Sequence, residues 1–393
     1  MSRKSLGIPV DYVRHNEDVR QVWDSFHKGT PTRVPIQFSM NDRMILQDPE
    51  LNVWGYTWKQ YFEDPAIRWT VQLRFQHWVR ANVMQDAEMG LPEKSWNGIY
   101  VHYQNCDEAA WFGCPFYFPS NDMPFIEPIL RENKQLLYDM TPPDPLHGGI
   151  MSRAIEHFQF FEDKRANDTF EGIPIGRSFL FGAGTDGPLT LACNLRGASE
   201  VARDFYEDPQ YVHDLLGFIT DAVIKRIKVI SAFNGAALPM QGWFFADDSI
   251  ELISTAMYKE FVLPYHRRLL DAFSLGGPNG IHLCGRVQRY VKVLSDELNI
   301  KTFDLGFPTN MALARHDVGN DVTLIGNIAP HLLQNGSVES IREAVKKLCT
   351  SGVMQGGKFI LHEGNNCAPC TPLEHFEAMY DAGKYFGSFS NAV

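Results

Sequence analysis

Short apolar runs alternate with longer amphipathic stretches from about Gly172 onward. Six runs stand out: Arg177 to Phe181, Pro239 to Phe245, Gly280 to Cys284, Thr302 to Leu305, Val322 to Ile325 and Lys358 to Leu361. Two more lie upstream, Val34 to Phe38 and Asn82 to Gln85, which brings the total to eight. Strand-length runs separated by helix-length amphipathic segments are the pattern of βα units around a parallel sheet, and eight of them predict a (β/α)8 TIM barrel formed as one domain over residues 1–393. Several runs end in polar or glycine-containing segments: Ala246-Asp247-Asp248, His282-Leu283-Cys284-Gly285, Gly326-Asn327 and Glu363-Gly364-Asn365-Asn366. In such a barrel the C-terminal strand ends and the loops after them build the active site.

Helix starts are also legible. Ser254-Thr255 opens an amphipathic stretch through Asp271, and Thr371-Pro372 places proline just after a capping threonine. Residues 90–171 do not fit one βα unit and are rich in aromatic side chains, among them Trp111, Phe112, Phe116, Tyr117, Phe118, Phe158, Phe160 and Phe161. This region reads as an insertion between the second and third strands that caps the barrel mouth. Its aromatic residues would pack a core or wall an apolar substrate pocket.

Composition narrows the class. A chain of 393 residues with 44% hydrophobic side chains can bury a sizeable core. No apolar run approaches the roughly 20 residues that cross a bilayer, and Met1-Ser2-Arg3-Lys4-Ser5 is not followed by a signal-peptide core, so a cytoplasmic location is expected. A net charge of -11 argues against nucleic acid and anionic membranes as partners. Seven cysteines without a small-domain pattern point to reduced thiols that act as ligands or core residues.

The candidate chemistry centres on His282 and Cys284. On an extended strand alternate side chains share a face, so the imidazole and the thiol can enter one cavity while Leu283 packs behind. A third soft ligand is available in Gly364-Asn365-Asn366-Cys367-Ala368-Pro369-Cys370. His282, Cys284 and Cys367 would form a catalytic zinc site with one position open. If Cys370 joined them the site would be closed and structural. The competing readings are a hydrogen-bonded core histidine beside an inert thiol, and a redox pair at Cys367 and Cys370.

Together the segments Asp186-Gly187-Pro188-Leu189-Thr190, Phe261-Val262-Leu263-Pro264-Tyr265, His282-Leu283-Cys284-Gly285, Gly326-Asn327-Ile328-Ala329-Pro330 and Thr371-Pro372-Leu373-Glu374 resemble the uroporphyrinogen decarboxylase superfamily, in the same order along the chain. The H-x-C-G segment resembles its corrinoid-dependent methyltransferase branch, and the chain is similar to the methyltransferase I component of O-demethylases. The resemblance implies a barrel in which the histidine, the cysteine and a later cysteine bind zinc. It also implies methyl transfer between a small molecule and the cobalamin of a separate corrinoid protein, since this chain has no D-x-H-x-x-G cobalamin motif of its own. The first strand lacks the decarboxylases' R-Q-A-G-R segment, so a polyanionic porphyrinogen would lack its anchoring arginines.

The aromatic insertion favours a small methylated aromatic substrate, best an aryl methyl ether undergoing O-demethylation. Methyl transfer from the corrinoid to a thiol such as coenzyme M is the alternative, and a barrel with a structural zinc and no methyl transfer is the alternative of another class. A phenolate leaves poorly, so zinc as Lewis acid and an acidic side chain would assist it; Asp247 and Asp248 are the acid candidates, one of which faces the pocket. Asn327 and Asn310 are candidates for orienting substrate oxygens. A second copy of the chain is a candidate partner beside the corrinoid protein.

Overall fold

The computed structural model describes residues 10–120 and 122–391, and the N-terminal stretch Met1 to Ser5 lies outside them. The wall of the molecule is parallel sheet. In chain order its strands are β1 (Tyr100–Val101), β2 (Phe179–Leu180), β3 (Phe244–Ala246), β4 (Asn279–Leu283), β5 (Ile300–Leu305), β6 (Thr323–Ile328) and β7 (Phe359–Glu363). Strands β3 to β7 hydrogen-bond in sequence order, all parallel. This is the neighbour relation that right-handed βα crossovers generate.

The run Val34 to Phe38 closes the far side of the wall. Ile36 bridges Leu361 of β7 in parallel, and on its other side the Asp86 amide donates to the Ile36 carbonyl at 2.7 Å. Arg33 grips the Asp86 carboxylate with two nitrogens, both at 2.6 Å, and the Ile36 amide donates to the same carboxylate at 2.7 Å. A buried bidentate pair of this kind fixes register as well as position. The fold is a (β/α)8 barrel. Every residue of β7 is buried, which is why it reads as an unbroken apolar run until its polar end at His362 and Glu363.

The helices follow their local signals closely. The helix Pro209–Asn234 has proline in its first turn, is capped by Asp208 through the Tyr211 amide, and ends at Gly235 in the left-handed conformation. Ser254 caps the next segment through the Met257 amide, and helical structure continues to Phe273 through a wider turn at Tyr258–Val262. Thr371 behaves differently. Its hydroxyl donates to the Ala368 carbonyl at 2.8 Å instead of capping the helix Leu373–Phe386, because the preceding loop turns back onto it.

The segment 90–171 contributes to the wall. Tyr100 and Val101 pair in parallel with Phe179 and Leu180, so β1 and β2 form a two-stranded parallel sheet beside the five-stranded one. Its aromatic residues are mostly packing: Trp111, Phe112 and Phe161 are buried, and Phe62 is ringed by Tyr103, Phe116 and Phe118 at 5.0 to 5.7 Å. No helix among the described residues is long and apolar enough to cross a membrane.

Candidate active site

Strand β4 delivers His282 to the barrel mouth, and the loop after it carries Cys284. Cys284 Sγ lies 3.2 Å from His282 Nε2. The other ring nitrogen, Nδ1, is 2.7 Å from Asp304 Oδ2 on β5. Asp248, just beyond β3, completes the group: its Oδ1 accepts the Cys284 amide at 2.7 Å and stands 4.0 Å from His282 Nε2. One ligand atom each from Asp248, His282 and Cys284 lies within 4.8 Å of the others. Two glycines make the close approach sterically feasible. Gly285 adopts φ +79, where a side chain would strike the Glu251 carboxylate, and a Cβ on Gly306 would crowd Cys284 Sγ at 3.2 Å and the Gly364 carbonyl at 2.6 Å.

This donor set of nitrogen, sulfur and oxygen fits zinc. A carboxylate behind the non-ligating nitrogen orients the ring and fixes its tautomer, the role Asp304 is placed to play. The cluster favours a cation on electrostatic grounds. Burial opposes a charge on His282, yet its hydrogen bonds to Asp304 and Cys284 outweigh that and push the imidazole up to about 11. Burial also raises the Cys284 thiol, while His282 acts in the opposite direction.

Asp247 and Asp248 diverge as adjacent residues should, but Asp247 faces away from the mouth. It is fully buried, with Oδ1 accepting from the Thr190 amide and hydroxyl, both at 2.8 Å, and Oδ2 accepting from the Leu189 amide at 3.0 Å and from His266 Nε2 at 2.8 Å. Gly187, at φ +93, is the reason it fits, since a Cβ there would lie 2.4 Å from the aspartate side chain. Asp247 therefore satisfies the start of the helix Pro188–Arg196 and holds His266.

The remaining sequence candidates are not among the three grouped donors. Cys367 is buried, its thiol raised first by burial and then by Glu363, and Glu363 itself is pushed up to about 7 by its own burial. Cys367 is not among the atoms of the three-residue group. Exposed Cys370 donates to the Gln47 carbonyl at 3.7 Å, in a surface recess with Asp48, Glu50 and Trp78. Asn327, on β6, donates to the carbonyls of Gly306 and Thr309 at 3.3 and 2.7 Å, tying the loop after β5 to the strand beside it. Asn310 caps the helix Met311–Val318 through the Leu313 amide at 3.0 Å. Both asparagines do backbone work.

Beside the cluster, between the ends of the first strands and β3, is a cavity of about 450 Å³. Tyr100, Phe181, Phe244 and Phe245 supply its aromatic surface, and Asp107, Glu108, Asp186, Arg226 and His102 its charged and titratable groups. Ala246, two residues before Asp248, and Asn366, beside Cys367, mark the border between cavity and donors. Burial raises Asp107. It also raises Glu108, against the pull of Arg226 at 3.4 Å. Asp186 is pushed up to about 8 by burial and by the neighbouring Glu108, Asp107 and Asp248. Its carboxyl is therefore held neutral to a higher pH than an ordinary aspartate.

Sequence reasoning did not single out Asp304, Asp186 or His102 as site residues. Asp186 stands in the D-G-P-L-T segment, so its position at a strand end was the available signal; Asp304 ends an apolar run in the same way. His102 lies inside the region read as a cap.

Comparison with known proteins decides the family. The model of the uroporphyrinogen decarboxylase (URO-D) family matches residues 107–386, more than half of the chain. The chain belongs to the uroporphyrinogen decarboxylase family. It is similar to a methylated-thiol–coenzyme M methyltransferase of Methanosarcina mazei, 27% identical over 287 residues that make up 70% of this chain and 69% of the relative. It is similar to the methylcobamide:CoM methyltransferase MtbA of Methanosarcina acetivorans, at 22% identity across 76% of this chain and 83% of that protein. A uroporphyrinogen decarboxylase of Xanthomonas oryzae is 30% identical over a shorter stretch, half of this chain and 57% of the relative. Among solved structures, a methyltransferase from Methanosarcina mazei superposes with a TM-score of 0.63 at 17% identity, covering 94% of this chain and 98% of that one, in agreement with the barrel. The match runs from Asp107 through Asp248, His282 and Cys284 to the end of the helix Leu373–Phe386.

Proposed function

We propose that this member of the family transfers a methyl group between a small-molecule thiol and the corrinoid of a partner protein. The observation that carries the reading is the group Asp248, His282 and Cys284 at the edge of the cavity, a donor set suited to zinc and hence to thiolate chemistry. The similarity to two methyltransferases whose names specify coenzyme M points the same way. Zinc bound there supplies a Lewis acid that lowers the proton affinity of a sulfur or oxygen beside it.

The chain's own residues have separate tasks. Asp304 keeps Nδ1 of His282 engaged so that Nε2 turns to the donors. Tyr100, Phe181 and Phe244 provide faces for the small molecule and exclude water. Asp186, kept protonated, avoids setting another negative charge against a developing thiolate or phenolate. Asp247 has no part in the chemistry, because no atom of its carboxylate is free. The corrinoid docks over the mouth on its own protein.

An aryl methyl ether as methyl donor is the second reading, favoured by the aromatic faces inside the cavity. The cap's Trp and Phe residues no longer support it, since they pack the interior. The two readings separate in one assay: purified zinc-loaded protein, a reduced or methylated corrinoid partner, and either thiols or methoxybenzenes, followed by the corrinoid spectrum. Spectral change with thiols supports the first, with methoxybenzenes the second. No change with either class sinks methyl transfer, and conversion of uroporphyrinogen would redirect the activity to decarboxylation.

A further inference from the structure

His102 leaves β1 at the mouth and lines the cavity while only 6% exposed. Its Nε2 is 2.8 Å from Oδ2 of Asp42, a fully buried carboxylate. The same oxygen accepts the Tyr61 hydroxyl, and Gln72 holds Tyr61 at 3.0 Å while bonding both backbone polar groups of Tyr100. The acceptor is thus fixed from several sides. A carboxylate only accepts, so Nε2 carries the ring hydrogen and Nδ1 keeps the lone pair. Among the described residues the one hydrogen bond to Nδ1 comes from the Gln104 amide at 3.3 Å, a long bond, and Gln104 also lines the cavity.

An imidazole with a carboxylate behind one nitrogen and a lone pair on the other is the arrangement of a base with its orienting partner. Nothing in the zinc-donor cluster uses it. The charged and titratable groups around it are Asp42, Tyr61 and Tyr100, Asp107 near its ring, and Arg68, whose Nη1 donates to the His102 carbonyl.

We propose that His102, oriented by Asp42, takes up and returns the proton of the heteroatom that exchanges the methyl group; this rests on the methyl-transfer reading above. When a thiol or phenol accepts methyl, its S–H or O–H bond breaks and the proton goes to His102 Nδ1. The freed electron pair forms the new bond to the methyl carbon, and the pair of the old carrier–carbon bond stays on the corrinoid. In the reverse direction the S–CH3 or O–CH3 bond breaks as the methyl carbon takes its new bond from an electron pair of the reduced corrinoid; the pair of the broken bond stays on the heteroatom, and that atom takes the proton back from the His102 imidazolium. The same nitrogen serves both directions, as microscopic reversibility requires. His102 is the catalytic residue and Asp42 the positioning residue.

The test has two arms. In the kinetic arm, His102→Gln lowers kcat by ~10²–10⁴-fold and removes one limb of the kcat–pH profile, with KM little changed; Asp42→Asn shifts that limb while leaving KM in place. In the second arm, side-chain nitrogen NMR of histidine-labelled protein, with the His102 signal identified from His102→Gln, reports the Nε2–H tautomer in the free protein and gain of a proton at Nδ1 when ethanethiol is added. Wild-type turnover in His102→Gln, a His102 signal unmoved by ethanethiol, or a pH limb that survives in His102→Gln and vanishes in Asp186→Asn would each overturn the proposal. Proton gain by His102 in a protein that transfers no methyl to any acceptor would retain the proton role and remove the methyl-transfer reading.

Discussion

Asp304 Oδ2 sits 2.7 Å from His282 Nδ1, on the side of the ring opposite Cys284. The two residues face each other across β4 and β5, at the register position His282↔Asp304, so the sheet itself sets the spacing. Removing the carboxylate frees the ring to rotate and to change tautomer. Asp304→Ala is therefore expected to weaken zinc binding ~10–100-fold, measured by competition with a chromogenic chelator. Unchanged affinity would assign Asp304 to surface electrostatics alone.

The donor group predicts a particular pattern of metal loss. Cys284→Ala and Asp248→Ala should each lose most bound zinc, whereas Cys367→Ala should retain it, because Cys367 is buried against Glu363 and outside the group. Metal analysis after dialysis checks this. Loss of zinc in Cys367→Ala would mean that the loop 364–370 swings in to supply a ligand.

Asp247 should matter for folding and little for chemistry. Asp247→Ala leaves His266, two amides and a hydroxyl without their acceptor in a fully buried place. The expected loss is ~3–5 kcal/mol, read from chemical denaturation. Turnover per folded molecule should stay near wild type.

Asp186 gives stability a definite slope with pH. The unfolded chain releases this proton near the ordinary value of 3.8, and the folded protein holds it up to about 8. Between those values the unfolded state binds fewer protons, so stability falls as pH rises through the window and levels off above it. Asp186→Asn, which cannot ionise and whose side chain replaces a carboxyl, should flatten the decline. Melting temperatures from pH 4 to pH 8 for both proteins check it; equal slopes would show that other groups control the titration.

The barrel was legible because its signal is local and repeated: a fully buried parallel strand such as Phe359–Glu363 must be apolar on both faces, and a run of that kind is visible in sequence. The run Val34 to Phe38 was legible, whereas Tyr100–Val101 was not, because its two paired residues lie inside the aromatic segment 90–171 and carry no longer apolar run. His282 and Cys284 were legible because period-two geometry lets them share a face. Asp247 and Asp248 show the limit. Alternation predicts that one faces the mouth, but which one depends on Gly187, far away in sequence, making room for Asp247. The distance between Asp42 and His102 is likewise set by folding alone, because neither strand end carries a pattern that announces a partner sixty residues away.

The mouth is divided: the metal donors stand on the β3 to β5 side, and the cavity wall is built by Tyr100, Phe181 and Phe244 toward the earlier strands, with β3 as the common border. The donor group and the aromatic faces are thereby supplied by separate stretches of chain. Exchanging Phe244 would reshape the aromatic wall without replacing His282, Cys284 or Asp248, whereas Tyr100 and Phe181 also pack on His102, at ring-centroid distances of 4.7 and 6.1 Å, and tie the wall to that histidine.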